Sequence, residues 1–199
     1  MNKTNTLFSV IALAVITASC GNEQKPAEET ATVTAGEETT YSLSTDSSSH
    51  VIYKATMLGV KEHSGLVAFK EGKITANGTQ LTGGSFTVNM NTIKPTDKNY
   101  DPKSGYGVEK FLGHITSPDF FDVANHPTAT FTITSVNGNE ATGTLNVRGK
   151  ENTETVKNIS LTEANGTITA KGVLTFDRKK YDVAWDMPAK DMVISNDIV

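Results

Sequence analysis

The chain has 199 residues, 37% of them apolar and 20% charged, enough for one well-cored domain and too short for a large multidomain enzyme. Its 18 Lys and Arg against 22 Asp and Glu leave a net charge of -4, which argues against a face that follows a phosphate backbone, so nucleic acid is not an expected partner. The 29 Thr, beside 16 Gly and only 6 Pro, favour strands joined by tight turns, an all-β reading.

Residues 7–19, LFSVIALAVITAS, form an uncharged apolar run behind a short polar start that carries Lys3. That run is too short for a bilayer core of about 30 Å, which takes roughly 20 residues as a helix, so residues 1–19 are expected to be a signal peptide. The boundary Thr17-Ala18-Ser19-Cys20-Gly21 resembles the bacterial lipobox, in which a cysteine after small residues is acylated and becomes the mature amino terminus; Thr17 stands where Leu, Val or Ile is usual. Acyl chains on Cys20 would hold the protein on a membrane, since each buried CH₂ contributes about 0.8 kcal/mol and two chains suffice. The expected location is the bacterial cell envelope, periplasmic or surface-facing, as a membrane-anchored lipoprotein. Cys20 is the only cysteine, so no disulfide can form within the chain.

Residues 20–40 carry Glu23, Glu28, Glu29, Glu37 and Glu38 against Lys25 alone, with few apolar side chains to offset the entropy of ordering, and are expected to be a solvated acidic tether. From Tyr41 onward charge nearly balances, and residues 41–199 are the expected folded domain.

Within it, segments of period-2 alternation are separated by Gly and Asn, as antiparallel strands joined by turns require. Val51 to Met57 and Gly65 to Phe69 make the first two. Ser85 to Asn91 is the cleanest, with Phe86, Val88 and Met90 on one face and Ser85, Thr87, Asn89 and Asn91 on the other. Thr130 to Ile133 continues through the hairpin signal Asn137-Gly138 into Ala141 to Val147, and Val156 to Leu161 pairs with Thr167 to Phe176 across Asn165-Gly166. Between Pro95 and Pro127 the alternation breaks, and Val108 to His114 reads as a short helix ended near Gly113, an insert able to cap one end. About eight strands with local turns fit a closed up-and-down barrel, which removes exposed edges; a sandwich is the alternative.

Phe111-Leu112-Gly113-His114-Ile115-Thr116-Ser117-Pro118-Asp119-Phe120-Phe121-Asp122, followed by His126-Pro127-Thr128-Ala129-Thr130-Phe131, resembles the central signature of the YceI-like lipid- and polyisoprenoid-binding proteins. His63-Ser64-Gly65, Gly83 to Met90, Gly143 to Gly149 and Phe176-Asp177-Arg178 follow in the family's order. The resemblance implies an eight-stranded antiparallel lipocalin-like barrel whose apolar cavity holds a long-chain amphiphile, such as a polyisoprenoid or fatty-acid derivative, with no associated chemistry.

An eight-stranded barrel is just wide enough to be filled by side chains or to hold one small ligand. Read alone, the inward candidates Val51, Tyr53, Phe86, Val88, Met90 and Phe131, with Ile133, Leu145, Val147, Leu174 and Phe176, fit ordinary core. The resemblance turns them into the wall of a lipid cavity, with Ala55, Ala129 and Ala170 leaving room for a chain. His63, His114 and Arg148 are the polar candidates for meeting a head group at the mouth; for Arg148 and Arg178, structural pairing with a carboxylate such as Asp177 or Asp182 is favoured over facing a pyrophosphate. His50, His63, His114 and His126 show no metal-ligand spacing, and no metal is expected. Asp119 and Asp122 fit loop capping better than an acid–base pair, Ser47-Ser48-Ser49 and Ser64 lack a nucleophile elbow, and Trp185 reads as a packed or rim aromatic.

These readings converge on non-catalytic binding, with transport or storage, of a long-chain amphiphile, and on no cofactor beyond a bound isoprenoid or fatty-acid-type lipid. The alternatives are a hydrolase or isomerase acting on such a lipid, and a structural envelope lipoprotein with a filled core. A homodimer is left open.

Overall fold

The structure is a computed structural model that describes residues 37–46, 48–58, 61–183 and 193–198, all within the unit Ala35–Val199. The expected signal peptide, Cys20 and nearly all of the tether, together with Ser47 and Trp185, lie outside the described residues.

The strands are β1 (Thr39–Ser42), β2 (His50–Leu58), β3 (Lys61–Asn77), β4 (Gln80–Asn89), β5 (Lys94–Pro95), β6 (Thr128–Asn137), β7 (Glu140–Val147), β8 (Lys150–Ala164), β9 (Thr167–Leu174), β10 (Phe176–Asp177) and β11 (Val193–Ile198), with one α-helix, α1 (Val108–Ile115). All pairings are antiparallel, and neighbours follow the order β10-β11-β2-β3-β4-β6-β7-β8-β9. Only Thr175 separates β9 from β10, so the two form one interrupted strand, and β11 bridges it to β2. The ring is therefore an antiparallel barrel with eight walls, as expected. The short β1 and β5 add to β3, and the β10-β11-β2 seam, spanning few residue pairs, leaves closure incomplete.

Alternation is most regular in β7, where Ala141, Gly143, Leu145 and Val147 are buried and the residues between them are not. The β8–β9 hairpin turns on Asn165 (φ 52°) and Gly166 (φ 75°), the two positive dihedrals of a type I′ turn. At the β6–β7 hairpin Asn137 pairs with Glu140, so the turn centres on Gly138 and Asn139, one residue later than Asn-Gly suggests. Strand β3 runs well past Phe69: a bulge between Phe69 and Glu71 resets its phase, so Ile74 and Ala76 return to the interior. Helix α1 likewise passes Gly113, because Phe111 and Ile115, one turn apart, are both buried, and their packing outweighs roughly 1 kcal/mol of glycine propensity.

The core has two parts. One gathers Met90, Ile93, Phe131, Leu145 and Val147 with Phe111, Ile115 and Val123 of the insert, which thus closes over that end of the barrel. The other, toward the hairpin turns, holds Ile74, Ala76, Leu81, Ala141 and Leu161. Phe86 and Ile133 touch both.

Candidate functional site

Register decides which side chains point inward. Val51 lies opposite Val67, Tyr53 opposite Gly65 and Ala55 opposite His63. Those three partners are buried, whereas Ile52 is 66% exposed, so the odd-numbered residues of β2 line the interior. The same logic takes Phe86 to Phe131 and Val88 to Ala129 across β4–β6, Phe131 to Leu145 across β6–β7, and Val156 to Leu174 across β8–β9.

All eleven apolar candidates meet in one cluster. Met90, Phe131, Leu145 and Val147 are buried within it. Val51, Tyr53, Phe86, Val88, Ile133, Leu174 and Phe176 pack against it yet remain only partly buried, although they face inward. An inward apolar side chain that keeps solvent contact borders space that protein atoms do not fill. Bare glycines shape this wall: a Cβ on Gly65 would stand 2.5 Å from the Tyr53 ring, and one on Gly143 would stand 2.7 Å from the tip of Phe131. A separate groove of about 300 Å³ between β1, β3 and β4 is lined by Ser42, Glu71, Gly72, Lys73, Ser85 and Thr87, a polar set that offers an apolar chain little.

Where β2 and β3 meet the insert, a polar knot interrupts this lining. The His63 ring, 7% exposed, stacks on Phe111 with centroids 4.5 Å apart. Its Nδ1 lies 3.1 Å from the Tyr100 hydroxyl and 3.5 Å from Asp97 Oδ2. Tyr100 donates to Asp97 at 2.9 Å, and the backbone N–H groups of Ser64 and Asn99 donate to the same carboxylate. With the Tyr100 proton committed to Asp97, the Tyr100 oxygen is left to accept from Nδ1–H of His63. Burial raises the Asp97 pKa, but the amides of Asn99 and Ser64, the Tyr100 hydroxyl and His63 outweigh it, and the net shift is downward. Burial and then the Asp97 hydrogen bond and charge push Tyr100 up, burial and Asp97 raise Tyr106, and the same two causes take Tyr53 to about 12. The Tyr53 hydroxyl is buried with no hydrogen-bond partner among the described residues.

The polar candidates His63, His114 and Arg148 engage three different sets of partners. His63 belongs to the knot. His114, on α1, meets Phe120 edge-on at 5.7 Å. Arg148, at φ 52°, donates from Nη1 to the Asp182 carbonyl and from Nη2 to the Pro118 carbonyl at 2.6 Å, tying the insert to the turn after β10. Arg178, 1% exposed, donates to the Val183 carbonyl. Asp122 accepts from the Asn125 side chain and lies 3.9 Å from His126, a loop-fixing role. A second polar group places Glu154, opposite Gly143 on β8, within 3.1 Å of the Tyr181 hydroxyl.

Residues 41–199 match the YceI-like domain family. The chain belongs to the YceI-like family. Among solved structures, this YceI-like barrel is similar to Burkholderia cenocepacia BcnA, at 20% identity over 74% of this chain and 90% of that one with a TM-score of 0.52. It is also similar to a polyisoprenoid binding domain from Saccharophagus degradans implicated in plant cell wall breakdown, at 14% identity over 76% and 88% with a TM-score of 0.53. At these identities the likeness establishes the shared fold. No protein of curated function matches the chain.

Sequence reading missed Asp97, Tyr100 and Glu154. The first two lie in the 96–106 loop, where alternation gives no phase. Glu154 was accessible: it is two residues before Val156 on a strand whose inward positions alternate, so it shares the Val156 face.

Proposed function

We propose that the YceI-like barrel binds one long-chain amphiphile with its apolar chain inside the barrel, for transport or storage. The observation that carries this reading is the partial burial of inward apolar residues, among them Val51, Phe86, Val88 and Ile133: the wall is hydrophobic but not closed by its own side chains. A chain covering about 400 Å² of such wall gains near 10 kcal/mol at roughly 25 cal/mol per Å², before ordering costs. The polyisoprenoid-binding description of the Saccharophagus degradans domain supports the same class of ligand for this fold. In the polar knot, burial and Asp97 raise the pKa values of the Tyr53 and Tyr100 hydroxyls, the direction opposite to activating either one as a base or nucleophile.

The reading extends to the amino terminus: acylated Cys20 anchors the chain on a cell-envelope membrane and residues 20–40 tether the barrel, on the support of the apolar run 7–19 and the acidic stretch behind it. Native mass spectrometry of protein purified without detergent tests the ligand. The expected spectrum shows one lipid mass per barrel, lost on organic extraction; apoprotein alone, unable to take up any added long-chain lipid, would refute the binding role. For the anchor, Cys20→Ala should move the protein from the membrane to the soluble fraction and abolish labelling by a clickable fatty acid.

A further inference from the structure

Resting on the lipid-binding reading above, we infer that the apolar chain enters and leaves the barrel at the hairpin end, through a split between β4 and β6, and that Leu81 and Val136 govern the rate of its passage.

The two ends of the barrel are closed by different means. At the insert end polar bonds reinforce the packing: Asp97 accepts from Ser64, Asn99 and Tyr100, and Arg148 donates to the Pro118 and Asp182 carbonyls. Moving the insert breaks these bonds. At the hairpin end the β3–β4, β6–β7 and β8–β9 hairpins meet through the cluster of Ile74, Ala76, Leu81, Ala141 and Leu161. The ladder between β4 and β6 stops at Ser85 opposite Thr132, although β4 begins at Gln80 and β6 runs on to Asn137. The ladder between β7 and β8 stops at Ala141 opposite Val156, but there a backbone bond from Ile159 N–H to the Asn139 carbonyl, at 2.9 Å, still links the two hairpins. Across the β4–β6 split no hydrogen bond joins the hairpins beyond Ser85 and Thr132 among the described residues.

Few side chains cover this split. Residues 80–84 and 133–137 form its two sides, and β4 contributes Gly83 and Gly84, where an added Cβ would stand 2.8 Å from Thr75 Oγ1 and from the Lys73 carbonyl respectively. Cover falls to Leu81, 8% exposed, on one side and to the partly buried Ile133 and Val136 on the other. Ile133 also packs against the main cluster, so the split borders the partly buried wall of the interior. A contact made by side-chain packing alone opens at lower cost than one tied by a strand ladder or a polar network. Parting the β3–β4 hairpin from the β6–β7 hairpin uncovers the interior while each hairpin keeps its own ladder.

The test is stopped-flow fluorescence of the full-length protein with cis-parinaric acid, measuring uptake directly and release by competition with oleic acid. A residue on the route changes the barrier crossed in both directions, whereas a contact in the bound state changes release and affinity. Leu81→Ala should speed uptake and release alike by roughly fivefold or more, with the dissociation constant within about twofold of wild type. Val136→Trp, which adds bulk at a partly exposed position, should slow both. Ile115→Ala, at the insert end, should leave the uptake rate within about twofold of wild type. Wild-type rates in either folded variant at the split, or uptake accelerated by Ile115→Ala as much as by Leu81→Ala, would overturn the route while leaving the barrel a lipid binder. Failure of the wild-type protein to take up either fatty acid would overturn the lipid-binding reading itself, and the route with it.

Discussion

Tyr53 lies flat across β3 because Gly65 has no Cβ, and Phe131 uses Gly143 in the same way. Each glycine lets an aromatic ring cover the strand beside it. Gly65→Ala forces overlap with the ring and with the Lys94 carbonyl, so a loss of about 1–3 kcal/mol is expected in urea unfolding, whereas Gly113→Ala, with nothing close to its added Cβ, should hold or gain stability. Arg148 is the other residue whose role only the structure reveals. Read as a head-group candidate, it sits on two carbonyls that join the insert to the turn after β10. Arg148→Ala should therefore speed amide hydrogen exchange in residues 114–123 and change lipid affinity little; a large affinity loss without faster exchange would place it at the ligand instead. Sequence favours a structural role for Arg148 but points to a carboxylate such as Asp177 or Asp182, because a guanidinium suits a carboxylate and a carbonyl pair equally; the partners are the Asp182 and Pro118 carbonyls.

Among the elements, strand faces were legible wherever alternation ran unbroken, and β4 shows what that is worth. Val88 points into the barrel opposite Ala129, and Thr87, its neighbour, points out toward the polar groove. Val88→Arg should abolish uptake of a fluorescent fatty acid with the fold retained by circular dichroism, and Thr87→Arg should leave uptake within about twofold; equal effects would reverse the face assignment. The second half of β3 was not legible, because the bulge after Phe69 shifts the alternation by one residue and makes two correctly phased halves read as a strand followed by noise. The loop holding Asp97 and Tyr100 was illegible for a different reason: its residues reach the interior through tertiary packing against His63 and Phe111, which no local period encodes.

At the scale of the whole barrel, buried phenols link stability to pH. Tyr53, Tyr100, Tyr106 and Tyr181 all have raised pKa values, with burial the main cause and Asp97 or Glu154 adding to it. Between the ordinary tyrosine value near 10 and the raised folded values, the folded chain holds protons that the unfolded chain has released. The stabilisation is complete below about pH 10 and is lost as pH rises, for Tyr53 through about 12. Alkaline titration followed at 295 nm should show these phenols ionising together with unfolding; their ionisation near pH 10 in an intact barrel would contradict it. Asp97, with its lowered pKa, acts in the opposite range: its contribution is present above the ordinary carboxyl value near 3.8 and fades as pH falls through its folded pKa, so Asp97→Asn should blunt the loss of stability below about pH 4.

The claim that a long apolar chain lies within this YceI-like barrel is tested most directly by methyl NMR of the protein with a fatty acid carrying a nitroxide near its tail. Val51, Val88, Ile133 and Leu145 face the interior, whereas Ile52 and Val173 are exposed. Strong paramagnetic broadening of the four interior methyl sets, with those of Ile52 and Val173 nearly unaffected, is the expected result. Broadening centred on Ile52 and Val173, or spread evenly over both groups, would place the chain outside the barrel and contradict the account.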